Sequence, residues 1–303
     1  MEAEYYIPLV ILNIFTIIIS LYLFFLFIKS KSFHTYPCYN IIIFSLIILL
    51  DNILRILPLS DDDNTTETVM EYIQAYLLVL FDKLILATLA TQAFIFYLGV
   101  VKTKFYYDHE KAIFIIPFII NLLICNAITA IYIVVNDIHR SEKKLYYYCG
   151  GSDSNLKKII DTIFDTFYFV LNLFCTIFLI LFVSGEKNQA DSGKIEDFDY
   201  KHNLIRITLL FLLNLATFLE SYLIIYRKLT GIAADFVYLS TCLLIDIYNS
   251  SNKIVLIETM KIFCKKKYEQ YEKINKAKKS KITDDNENDD KNIELQRTRT
   301  ESF

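Results

Sequence analysis

The chain is 303 residues long, 54% hydrophobic and 21% charged, with a mean hydropathy of +0.38. This excludes an ordinary soluble domain, because so much apolar sequence exceeds what one core can bury. The formal net charge of -3 conceals a segregation: acidic residues crowd one set of connections, while lysines crowd the other set and the tail.

A helix needs about 20 apolar residues to cross a bilayer. Seven runs of that kind occur, at residues 6–28, 39–59, 72–101, 112–135, 159–184, 203–226 and 231–256. The expected fold is an all-α membrane protein, a bundle of seven transmembrane helices. The first run follows Glu2 and Glu4 and lacks a basic leading region or a small-residue cleavage site, so it reads as a retained span and not a signal peptide. The seventh run is interrupted by Asp235, Asp246 and Lys253.

Lysine and arginine in the connections set orientation, because they resist translocation. The first, third and fifth connections and the tail carry 21 of them, against seven in the second, fourth and sixth. The N-terminus is therefore expected outside and the tail inside, in a plasma-membrane protein. Asn64-Thr65-Thr66, a glycosylation sequon, falls in the acidic second connection, on the side this places outside.

Ionisable residues within apolar spans are costly and tend to face the bundle interior and pair. Asp51 and Arg55 lie four apart on the second run, on one helical face, and read as an internal ion pair or as a polar switch at the bundle centre. Asp82 and Lys83, Asp161 and Asp165, Glu220 and Asp235 all fall toward the outer ends of their runs. Five carboxylates so placed suggest an outward-opening cavity with Asp82, Lys83, Asp165, Glu220 and Asp235 as ligand contacts and a preference for a cationic or amine-bearing ligand. The alternative is that Asp161, Asp165 and Asp235 lie at headgroup level, where charge costs little. Asp161 and Asp165 share a face and repel unless a cation or donor stands near.

On the inner side, Lys102 and Lys104 after the third run and Lys201-His202 before the sixth could offer a positive surface to a partner, or could reflect the inside preference of lysine alone. The apolar residues between Ile254 and Phe263 recur near helical spacing, as in a short helix on the inner membrane surface. Cys264, followed by Lys265-Lys266-Lys267, is placed for S-palmitoylation, or is an unmodified thiol. The domain boundary is expected there, with residues 1–264 as the bundle plus surface helix and residues 265–303 as a charged, disordered cytoplasmic tail.

No two of the six cysteines stand at ligand spacing, and no hydrolase or metalloprotease motif is present. No catalytic activity, cofactor, metal or nucleic-acid partner is expected. A seven-helix transporter or channel is the competing class; the chain has only four prolines and no visible internal repeat, which argues against it.

The exit from the seventh run resembles that of the rhodopsin-like G-protein-coupled receptors. Asn252-Lys253-Ile254-Val255-Leu256 occupies the family's Asn-Pro-x-x-Tyr frame, Asn249-Ser250-Ser251 precedes it, and Phe263 follows at the expected interval before Cys264 and the lysines. Asp51, after Leu46-Ile47-Ile48-Leu49-Leu50, is similar to the second-segment aspartate of that family. Lys253 and Leu256 depart from the frame, no Asp/Glu-Arg-Tyr closes the third run, and Cys149 finds no cysteine near the start of the third run to pair with. Among such receptors the chain is most similar to the nematode-type chemosensory serpentine families. The resemblance implies a small-molecule or peptide ligand and a heterotrimeric G protein, with Lys102 and Lys104 as contacts. It also implies a switch in which Asp246, Asn249 and Asn252 reach Asp51.

Overall fold

The computed structural model describes residues 3–34, 36–56, 69–135, 138–140, 147–149, 155–190, 200–225, 232–265 and 268–273. They form two compact units, residues 1–251 and residues 252–303.

Among the described residues the first unit holds seven α-helices: α1 (Ala3–Lys29), α2 (Tyr36–Ile56), α3 (Val69–Val101), α4 (Thr103–Val135), α5 (Asn155–Ala190), α6 (Tyr200–Ile225) and α7 (Ile232–Ser250). Among the described residues, six segments are long and apolar enough to cross a membrane: Ile7–Lys29, Cys38–Ile56, Tyr72–Val101, Lys104–Val134, Lys158–Phe182 and Ile205–Leu223. The chain is thus a membrane protein. α7, which carries Asp235 and Asp246, is not among these six, yet it packs against α1, α6 and α2.

Side-chain bonds fix the helix directions. Tyr76 on α3 meets Asn126 on α4, and Thr91 meets Asn121, so the two helices are antiparallel. α2 is antiparallel to α7, since Asp51 meets Tyr238 whereas Ser45 meets Asp246. α3 lies at the centre, against α2, α4, α5 and α6. Ala87, Ala90 and Ala93 on α3 are fully buried, and such small residues let helix backbones approach closely where lipid supplies no hydrophobic drive. Around them the core gathers Phe44, Ile48, Leu84, Leu89, Cys125, Phe164, Leu210 and Ile245. The exposed faces of α1, α4 and α5 carry Ile18, Leu123 and Leu181, an apolar exterior suited to hydrocarbon.

Several boundaries differ from the apolar runs. The basic stretch before residue 112 is helical, and only Lys102 separates α3 from α4. Hydropathy locates what can sit in hydrocarbon, whereas Thr103 to Lys111 holds no glycine or proline and continues as helix outside it. α4 kinks at His109 (φ -129, ψ 18), where Nδ1 donates to the Phe105 carbonyl at 3.2 Å. The fourth connection contains an antiparallel hairpin, β1 (Ile138–Arg140) paired with β2 (Tyr147–Cys149), which packs against α3. Its isoleucine and tyrosines are strand-favouring residues in a stretch too short to signal a strand by alternation.

The seventh run breaks at Ser251 and Asn252. In the second unit Asn252 is the N-cap of α8 (Lys253–Phe263), its side-chain oxygen accepting from the Ile254 N–H at 3.0 Å. Asparagine favours that position over a helix interior because its carbonyl competes for backbone donors. The Cys264 N–H closes the helix on the Met260 carbonyl at 2.9 Å, and residues 268–273 are again helical. Most of the charged tail lies outside the described residues.

Candidate functional site

Two cation-centred clusters stand side by side on α3, because its consecutive residues Asp82 and Lys83 project about 100° apart. In the first, Arg55 on α2 holds two carboxylates. Its Nε donates to Asp51 at 2.9 Å and its Nη2 to Asp82 at 2.8 Å. The guanidinium also lies over the Tyr238 ring at 4.2 Å, and the Tyr238 hydroxyl donates to Asp51 at 2.9 Å. The four-residue spacing brings Asp51 to Arg55, and the planar guanidinium has donors left for α3. Asp51 is fully buried and Arg55 8% exposed, whereas the Asp82 side chain is 44% exposed.

In the second cluster, Lys83 reaches Asp161 at 2.7 Å and Asp165 at 3.2 Å on α5, and lies 5.2 Å from the Phe164 ring centroid. Tyr132 on α4 donates its hydroxyl to Asp161. Lys83 is the cation that the Asp161 and Asp165 spacing calls for. Both aspartates are buried among the helices.

Between the clusters lies a cavity of about 180 Å3 bounded by five helices. Its walls carry Lys83 and Asp82 from α3, Tyr132 from α4, Asp161 and Asp165 from α5, Thr217, Glu220 and Ser221 from α6, and Tyr238 from α7, with Val79, Ile85 and Leu86 as apolar lining. Alternating helix directions place it toward the end of the bundle bearing the start of α1. Glu220 is 4% exposed, and its Oε1 has no hydrogen-bond partner. Asp235, on the first turn of α7, is half-buried and does not line the cavity.

The residues assigned to a switch separate into distinct contacts. Asp246 on α7 is fully buried and accepts from Ser20 at 2.6 Å on α1 and from Ser45 at 3.3 Å on α2. Asn249 accepts from Gln92 Nε2 at 3.0 Å, tying α7 to α3. Asn252 caps α8, while Asp51 is held by Arg55 and Tyr238. Asn121 donates to Thr91 and accepts from Tyr168, joining α3, α4 and α5 at the same depth.

Lys102 and Lys104 are exposed at the break between α3 and α4. Cys264 is a free, exposed cysteine. Asn64, Lys266, Lys267 and the Cys149 side chain lie outside the described residues. Sequence reading passed over Tyr132, Tyr238, Gln92 and Arg206, whose guanidinium lies 5.1 Å from the Tyr248 ring centroid. Gln92 and Arg206 were findable by the rule that picks out Asp82, a polar group within an apolar run. The two phenols carry no such mark.

Among the described residues, no group of three or more His, Cys, Asp or Glu side chains could hold a metal ion. What the arrangement can do is bind: it offers charge, hydroxyls and apolar wall in one cavity. No family model matches the sequence, and no curated protein matches it.

Proposed function

We propose that the chain is a seven-helix cell-surface receptor of the rhodopsin-like kind, chemosensory in role. Its N-terminus is outside, and it binds a small ligand in the cavity among α3 to α7 and signals to a heterotrimeric G protein. The observation that carries the reading is that cavity: charged side chains from α3, α5 and α6 and phenols from α4 and α7 converge on it. α7 counts as the seventh span because it packs on α1, α2 and α6 and buries Asp246 against serines of its neighbours. The lysine distribution supports an orientation with the cavity's end outside and the exposed Lys102 and Lys104 inside, where a G protein would dock. α8, with exposed Leu256, Ile262 and Phe263 and free Cys264, fits a membrane-surface anchor open to palmitoylation.

The test is expression with G-protein dissociation sensors, comparing wild type with a Lys102→Ala/Lys104→Ala protein. Basal or ligand-evoked dissociation that falls in the double variant supports the receptor. Absence of a signal with every G protein, together with solute flux in vesicles, replaces it with a transporter.

A further inference from the structure

We infer that the cavity takes a small primary or secondary amine, a monocation whose N–H groups are received by Glu220. Five carboxylates lie in or beside this space, and the two cations do not serve them equally. Arg55 holds Asp51 and Asp82, and Lys83 holds Asp161 and Asp165, each within hydrogen-bond distance. Glu220 is the cavity carboxylate left outside both clusters. It is 4% exposed, with Oε1 lacking any hydrogen-bond partner, and a buried carboxylate oxygen in that condition is costly unless something donates to it. Asp165, 3% exposed, has a second oxygen without a partner, Oδ2, in the same wall.

Formal charge makes the same choice, since two cations face five carboxylates and an added positive charge brings the site nearer neutrality. The unmet need is for donors as well as charge, which selects an amine carrying N–H over a quaternary ammonium. Val79, Ile85 and Leu86 would take the hydrocarbon body. The 180 Å3 is on the order of ten times the space one water requires, so the ligand has roughly ten non-hydrogen atoms.

This rests on the receptor reading only in taking the cavity as a ligand site, so binding is measured on purified full-length protein in lipid nanodiscs without any G protein. The probes are phenethylamine and butylamine, their alcohols of the same skeleton, and their trimethylammonium counterparts. The expected result is amine binding that exceeds alcohol and trimethylammonium binding by about ten- to hundredfold. Glu220→Gln is expected to lose that margin, while Asp108→Asn, on the exposed side of α4, keeps it. Equal binding of amines and alcohols, preference for the trimethylammonium probe, an undiminished margin in Glu220→Gln, or no amine binding by folded wild type would overturn the inference. If Glu220→Gln does not fold, the amine-to-alcohol comparison on wild type decides alone. Amine binding without G-protein activation would overturn the receptor and leave the amine site standing.

Discussion

Lys83 and Asp161 meet at 2.7 Å across α3 and α5, so the cation expected to greet a ligand is already committed to the protein. Asp165 shares it at 3.2 Å, and Tyr132 adds a donor to Asp161. Removing one member of such a buried cluster leaves charge without compensation, which costs about 3–5 kcal/mol. Lys83→Met should destabilise the folded bundle by that amount in denaturation measured in detergent micelles. Adding Asp161→Asn and Asp165→Asn should restore most of it, because the repelling carboxylates are gone. A Lys83→Met protein as stable as wild type would show that the cluster is not a stabilising contact.

Arg55 differs from Lys83 in serving two helices through separate nitrogens, Nε to Asp51 and Nη2 to Asp82. A lysine has one nitrogen and cannot reproduce that fork or the stacking on Tyr238. Arg55→Lys should therefore cost about 1–3 kcal/mol. Asp82→Asn should cost only about 0–1 kcal/mol, because its side chain is 44% exposed and solvent screens the pair. The ranking can be read from melting temperatures of the purified variants. An Asp82→Asn penalty exceeding that of Arg55→Lys would contradict it.

These two clusters mark how far the sequence was legible. Asp51 and Arg55 could be paired from spacing alone, because four residues on a helix put side chains on one face. Asp165 and Lys83 are 82 residues apart, and nothing in either run says which neighbour each will meet. The helical runs were visible for the same local reason, since about 20 apolar residues announce themselves in any order of packing. The polar stretch Asn249 to Lys253 announced a change before the short helix, but the run was drawn on to residue 256, because nothing in that stretch says that the Asn252 side chain caps α8. The joining of Asp246 and Asn249 to Asp51, implied by resemblance, gives way to Ser20, Ser45 and Gln92; the serines are too small to stand out in an apolar run, and Gln92, visible there as a polar group, does not name a partner 157 residues away.

Orientation yields a prediction independent of signalling. With 21 lysines and arginines in the connections and tail on one side and seven in the connections on the other, the second connection is expected to face outward. Cells expressing the chain should show a mobility shift after enzymatic deglycosylation that Asn64→Gln abolishes. A cysteine introduced as Lys104→Cys should react with a membrane-impermeant maleimide only after permeabilisation. Labelling of Lys104→Cys in intact cells would invert the topology and with it the side on which the cavity opens.

Gln92 and Asn249 make the bond between α3 and α7 that a receptor would need to break or keep when its cavity fills. Gln92 Nε2 donates to Asn249 Oδ1 at 3.0 Å, and both amides are buried. Substituting one alone leaves the other amide buried without its partner, which costs about 1–3 kcal/mol, whereas replacing both with apolar residues of similar size is nearly neutral. Gln92→Leu and Asn249→Leu should each destabilise the bundle, and the double variant should be more stable than the sum of the two predicts, with a coupling of about 0.5–3 kcal/mol. If α3 and α7 separate on activation, each single variant should also raise basal G-protein dissociation, because it weakens the state in which the helices are tied. Additive stability effects in the double-mutant cycle would dissolve the bond as an energetic unit. Unchanged basal dissociation alongside a clear coupling would leave the bond structural and exclude it from the switch.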